Sequence, residues 1–405
     1  MRRPIIIAII ALAILVVAGG VYWYFFMGPP ITATPSSGLS TSLPSAGQGS
    51  AQTPAAQNPA VALPSAAAVK VNSRLVEIAA GPIVPGLVAV DASSTNSTGS
   101  STPDIAISFI ERQSGNLYRY LVRAGTLTRT SNKTIPGIED AYWLPDGSRV
   151  YAQYISGSDF STVNTYSLAA DGSNGFFLPQ NLAGLDTALT SLFTLASDAN
   201  GSSANVSRTD GTKPAQVFST PLSAIRASFA GAKQYLVFTK PSASLAGNAY
   251  LVNSSGAFSH IAGPLYGLVA LASPDGKWAL VSYATSGTMH LELVNTSDDS
   301  ATQLPVATIA DTCVWAPDSS AAYCGIPVSP DASYAYPDDW YQGAVHFNDR
   351  IWKIDVTGRF ASLVLDFGTQ TNGGALDATA LAVDKNQQVL TFVNKNDGSL
   401  WAYSL

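Results

Sequence analysis

"SPDGKWALVSY", residues 273–283, is a short apolar strand behind a Pro-Asp-Gly turn. The same outline recurs in "LPDGSRVYAQY" (144–154) and "APDSSAAYCGI" (316–326). Pro145, Pro274 and Pro317 are separated by 129 and then by 43 residues, and 129 is three times 43. The spacing predicts copies at the skipped positions. Two steps from Pro145 lies Gly231, inside "SFAGAKQYLVF", and one step leads to the neighbourhood of Ala188 in "LAGLDTALTSLFTLAS". Backward from Pro145, Pro103-Asp104 in "TPDIAISFI" is 42 residues away; forward from Pro317, "AVDKNQQVLTFV" places Asp384 at the proline position. Seven units result. Proline pre-sets the first corner of a type I turn, and Asp and Gly tolerate the later positions.

Each unit continues alike, with a second apolar segment: "NLYRYLV" (116–122), "TVNTYSL" (162–168), "SANVSRT" (203–209), "NAYLVNS" (248–254), "HLELVNT" (290–296), "RIWKIDV" (350–356) and "SLWAYSL" (399–405). Polar turns such as Asp171-Gly172 and Asp210-Gly211 then lead into a fourth short strand. Four short strands per repeat of about 43 residues, without helical periodicity, specify the blade of a β-propeller. The seventh unit ends after its third strand, which would leave an unpaired edge. The spare segment "SRLVEIAAG" (73–81) is expected to complete it. The fold class is therefore all-β, a seven-bladed propeller of four-stranded blades spanning about 71–405.

The Pro-Asp-Gly/Ser hairpins resemble the repeats of TolB-like propellers, relatives of the WD-repeat family. The resemblance covers essentially all of 71–405, is plain in three units and degenerate in the others. It implies a platform for protein or ligand binding and carries no catalytic residues across.

The N-terminus, "MRRPIIIAIIALAILVVAGGVYWYFFMG", is uncharged from Pro4 to Gly28. As a helix this run would reach roughly 37 Å, enough for a hydrocarbon core of ~30 Å. Arg2 and Arg3 favour a cytoplasmic start, with Tyr22, Trp23 and Tyr24 at the far interface. Residues 1–28 are thus expected to be a signal anchor; a cleaved signal peptide, processed near Ala18-Gly19-Gly20, is the competing reading. Either puts the remainder outside the cytoplasm. Residues 29–70 carry no charge before Lys70 and are rich in Pro, Ser and Ala, the composition of a disordered tether. Charged residues make up only 12% of the chain and the net charge is −6. Without a basic footprint, nucleic acid is not an expected partner.

One unit is irregular. From Pro317 to Asp384 is 67 residues, 24 more than one repeat. The surplus, an insertion at about 328–349 between strands two and three of blade six, joins aromatic rings to carboxylates. Tyr336, Asp338, Asp339, Trp340, Tyr341, His346 and Asp349 are the candidate binding residues, because such surfaces suit sugars, cationic side chains and protein partners. The plainer reading is an insertion that packs its own aromatics over the ring. Strand alternation puts it on the face opposite the Pro-Asp-Gly turns and the tether.

Cys313 and Cys324 flank the turn of blade six. If Trp315 pairs with Ala322 as Trp143 pairs with Val150, the two cysteines stand directly opposite, close to disulfide distance. An oxidising compartment favours the bond; a one-residue shift of the hairpin would separate the thiols. His260, His290 and His346 come from different units with no metal-ligand spacing. Asp338, Asp339 and Asp349 could chemically attract calcium, but their spacing is not that of an EF-hand, so no cofactor or metal is assigned. Six N-x-S/T sequons, at Asn96, Asn132, Asn200, Asn205, Asn253 and Asn295, are weak evidence of glycosylation in a chain this rich in Asn, Ser and Thr.

Two functions compete. One is a non-enzymatic binding or scaffold module, membrane-anchored and extracytoplasmic, serving an envelope protein or surface glycan through the insertion. The other is a glycan lyase or hydrolase, which would need Arg, Lys, His or paired carboxylates converging on the axial channel. Catalytic residues are not assigned, and the non-enzymatic reading is preferred.

Overall fold

The computed structural model describes residues 74–405, except 96–98, 100, 134, 136 and 372. The expected anchor and tether lie outside the described residues, among which no helix is long and apolar enough to cross a membrane. The described chain forms seven four-stranded antiparallel sheets, each strand hydrogen-bonded to the next in sequence. Six blades are continuous in the chain. The seventh takes Ala378–Val383, Val389–Asn394 and Leu400–Ser404 from the C-terminus and Leu75–Ala79 from the start of the described residues as its fourth strand. The ring closes as the unpaired edge requires.

The Pro-Asp-Gly signature is a turn with one fixed bond pattern. Gly147 N–H donates to Leu144 O at 2.8 Å, Gly276 N–H to Ser273 O at 2.9 Å, Ser319 N–H to Ala316 O at 2.8 Å and Gln387 N–H to Asp384 O at 3.0 Å. The donor residue is left-handed each time, with φ of 69°, 75°, 60° and 54°. Glycine adopts that conformation without cost; Ser319 and Gln387 adopt it under constraint from the turn. The "TPDI" copy in blade one departs from this scheme. Pro103 and Asp104 lie within the second strand, Ser101–Ile110, where Pro103 pairs with Ser93. The third strand pairs only with 106–110, so a proline, which cannot donate to the ladder, sits beyond its reach. The expected hairpin at Pro103 is therefore displaced; the turn precedes it.

Adjacent blades are joined near the axis by bonds that recur at the repeat period. Thr187 Oγ1 donates to Trp143 O at 2.6 Å, Phe229 N–H to Asp186 Oδ2 at 2.8 Å and Trp315 Nε1 to Leu271 O at 3.1 Å. Between the sheets, alternate residues of neighbouring blades interdigitate. One cluster joins Leu280, Leu291 and Leu293 of blade five to Trp315, Ala322 and Ile354 of blade six. Cys313 does stand opposite Cys324, with Trp315 opposite Ala322, and the sulfurs are bonded at 2.09 Å with Cα atoms 4.1 Å apart.

Candidate binding face at the channel mouth

Antiparallel order puts the 1–2 and 3–4 turns on one face of the ring and the 2–3 and 4–1 connections on the other. Arg74, which begins the fourth strand of blade seven, lies on the turn face: its carbonyl accepts from Ser404 N–H at 2.9 Å, while Leu405 N–H donates to Gln388 O, in the adjoining 1–2 turn, at 2.8 Å. The insertion is a 2–3 connection and occupies the opposite face.

The insertion packs over blades four to seven. Tyr336, Trp340 and Phe347 are buried among Phe238, Leu268, Val281, Met289 and Ile309. A short helix, Asp338–Tyr341, carries Trp340 inward. Its indole Nε1 donates to both oxygens of Asp377, at 3.2 and 3.1 Å, and Phe347 N–H donates to Asp377 at 2.9 Å. Lys395 donates to Trp340 O, and its ammonium stands 4.3 Å from the indole centroid. Asp338 accepts from Ala243 N–H at 3.1 Å and Asp339 from Ala335 N–H at 2.7 Å. Asp349 is buried, accepts from Ala378 N–H at 2.8 Å, and is pushed well above the usual carboxylate range by burial and by the neighbouring Asp377. So the aromatic pattern built a small core for the insertion itself. Of the expected binding residues, Tyr336, Trp340 and Asp349 face inward, Asp338 and Asp339 are half-buried in backbone contacts, and Tyr341 and His346 are exposed.

Tyr341 leads to a group that the sequence reading passed over. Its hydroxyl donates to Asp311 Oδ2 at 2.6 Å, in the connection between blades five and six. Arg226, from the innermost strand of blade four, donates to both oxygens of the same carboxylate at 2.7 and 2.8 Å. Burial works against the Arg226 charge, but the Asp311 carboxylate outweighs it and raises the pKa. The bridge spans the blade five sector, whose innermost strand is the uncharged Val269–Ala272.

Beside it stand Asp140 and Tyr142 on the innermost strand of blade two, Ile138–Trp143; Asp186, on that of blade three, Leu182–Ala188, lies nearer the turn end, level with Trp143 and Phe229. Asp186 is raised to about 6 by burial, although Thr187 and Phe229 N–H groups, both at 2.8 Å, pull the other way. Burial and nearby Asp140 also raise the Tyr142 phenol. Asp140 is enclosed by neighbouring protein, which lifts its pKa, yet its side chain remains open to solvent, as suits a wall of the channel. Among the described residues it has no hydrogen-bonding or ion-paired partner. The nearest cations are taken: Arg112 pairs with Glu139 and Arg226 with Asp311. No group of described residues has the arrangement of a metal site.

A sequence signal for this mouth did exist. Charges occur in the innermost strands of blades one to four, at Asp91, Glu139, Asp140, Asp186 and Arg226, and are missing from those of blades five to seven. Innermost strands border the channel, so charged residues on them are candidates for its wall; Asp91 instead lies in the cleft between blades one and seven. That cleft, on the turn face, measures about 250 Å³. Its polar groups largely satisfy one another: Asp104 accepts three backbone N–H groups, and Arg123 donates to Pro103 O and Gln388 Oε1.

No family model matches the chain, and no curated protein matches it. Solved structures share the fold. TolB from Acinetobacter baumannii is 9% identical, with 79% of this chain and 80% of that chain covered and a TM-score of 0.42. The β-propeller domain of the Trilobed protease from Pyrococcus furiosus is 8% identical, covering 78% and 93%, at 0.49. A chain of the Mitotic Checkpoint Complex is 11% identical, covering 82% and 94%, at 0.50. The seven four-stranded sheets make the chain a seven-bladed propeller.

Proposed function

We propose that this propeller is a non-enzymatic binding platform, held outside the cytoplasm by its N-terminal anchor and engaging a protein partner through the face that carries the insertion. The observation that supports this reading is the solvent-open carboxylate of Asp140, unpartnered near Tyr142 while both neighbouring arginines are engaged. The insertion acts mainly as a fixed wall, presenting Tyr341 to the mouth. Arg74, the first described residue, lies on the opposite face, so a ring held at the membrane by the preceding segment would turn this face outward.

The glycan-enzyme alternative gains one specific point, since carboxylates, a tyrosine and an arginine do meet at the channel. Their bonding favours holding over turnover. Each oxygen of Asp186 already accepts a backbone N–H, and Arg226 is committed to Asp311. The test is capture from solubilised envelope by the full chain, compared with D140N/Y341F and checked against release of reducing or unsaturated sugar ends. Loss of a captured protein in the variant, without sugar release, supports the platform. Sugar release that D140N abolishes would replace it with the enzyme.

A further inference from the structure

Eleven large hydrophobic side chains are exposed among the described residues, and they are unevenly placed. Leu189 and Phe360 belong to the turn face, and Phe177 and Leu363 to outer strands. The remaining seven, including Tyr341, sit at the 2–3 or 4–1 ends of strands or in those connections. Five of them follow one arc. Ile155 and Phe160 come from blade two, Leu222 from the connection between blades three and four, and Leu245 and Tyr266 from blade four, bordering the insertion. Phe160 is 75% exposed and Leu245 72%. Blade two, where the arc begins, also carries Asp140 near the connection end of its innermost strand.

We infer that this arc and the acidic wall form one docking surface, and that its occupant is a protein segment combining basic with apolar side chains. The inference rests on the binding reading above and adds the partner's chemistry. Charge complementarity selects the occupant. Asp140 has no direct partner among the described residues, since Arg112 and Arg226 are bonded to Glu139 and Asp311. An arginine or lysine side chain entering the mouth would meet it beside the Tyr142 ring, which favours cations over its face. Apolar residues flanking that base would cover the arc, where removal of hydrophobic area from water supplies affinity that charge alone does not. A purely polar cationic ligand would leave Phe160, Leu245 and Tyr266 in water. An acidic partner would meet like charge at the mouth. The insertion bounds the surface over blades four to seven, so the segment lies across blades two to four.

The test uses the full chain and three fluorescein-labelled twelve-residue peptides of repeating Arg-Leu-Ser, Arg-Ser-Ser and Glu-Leu-Ser, followed by anisotropy. The Arg-Leu-Ser peptide should bind more than tenfold tighter than either other peptide, and weaken about fivefold or more between 50 and 300 mM salt. F160S/L245S/Y266S replaces exposed side chains only and should weaken Arg-Leu-Ser about tenfold while leaving Arg-Ser-Ser unchanged. D140N should weaken both arginine peptides. Equal binding of Arg-Leu-Ser to the wild type and the serine variant would overturn the apolar arc and leave the charged mouth standing. Failure of the wild type to bind either arginine peptide, or binding unaffected by D140N, would overturn the inference together with the open carboxylate on which it rests.

Discussion

Asp186 shows how one buried bond carries two consequences. Its carboxylate receives the Phe229 N–H from the next blade, yet burial lifts its pKa to about 6. A raised carboxyl pKa means that the folded state holds the proton more tightly than the unfolded chain. Its contribution to stability is therefore greatest below the ordinary carboxylate range and declines as pH rises through about 6. The stability difference between wild type and D186N should shift against the wild type over that window, by on the order of 2 kcal/mol; denaturant melts at pH 4.5 and 7.5 measure it, and a pH-independent difference would contradict the assignment. Gly276 supports a second expectation. It is left-handed, and an added Cβ would lie 2.5 Å from Ala230 O in the neighbouring turn. G276A should cost about 2 kcal/mol or more, read from the denaturation midpoint. The turn was legible because Pro-Asp-Gly writes its own dihedrals. The same letters misled at Pro103, where a short third strand, invisible locally, lets proline stand in a ladder. Asp140 and Asp186 went unread because residues that meet around an axis are scattered through sequence.

At the scale of the element, the insertion and the first hairpin of blade six account for the irregular repeat. The surplus length and its aromatics were plain in sequence; whether they faced solvent or protein was not, since burial depends on what blades four to seven place beneath them. Trp340 is the keystone of that packing. W340A removes the bonds to Asp377, leaves Lys395 without its ring and opens a cavity, and should cost about 3–5 kcal/mol in a chemical melt; a loss below 1 kcal/mol would show that the insertion is not held by this residue. An alanine at Trp340 consequently tests folding more than recognition, whereas Tyr341 can be changed at the surface. The cysteine pairing followed from hairpin register alone. Reduction of Cys313–Cys324 should lower stability by about 2–3 kcal/mol, given the short closed loop, with calorimetry in the presence and absence of reductant as the measurement.

For the whole molecule, closure and polarity matter most. The fourth strand of blade seven, Leu75–Ala79, pairs with Leu400–Ser404 and buries Leu75 beside Phe392 and Trp401. Because it joins the two ends of the described chain, deleting residues up to 80 should leave blade seven with a bare edge, and light scattering should report association at concentrations where a chain beginning at residue 71 stays dispersed. Blade count and closure could be read from sequence because repeat spacing is a property of the entire chain. Strand alternation predicts the two faces, but the contrast between a turn-face cleft whose polar groups bond one another and a connection face with an unpartnered carboxylate and exposed apolar tips could not be read. That contrast appears only when the seven repeats are superposed around one axis.

The central claim is that the partner engages the connection face. Its most direct test places a photo-crosslinking benzoylphenylalanine at Leu245 on that face, or at Leu189 on the turn face, in the full chain expressed in its own cells. The account predicts a discrete crosslinked protein from position 245 that is lost when D140N is added, and none from position 189. A discrete product from position 189 alone, indifferent to that carboxylate, would contradict it.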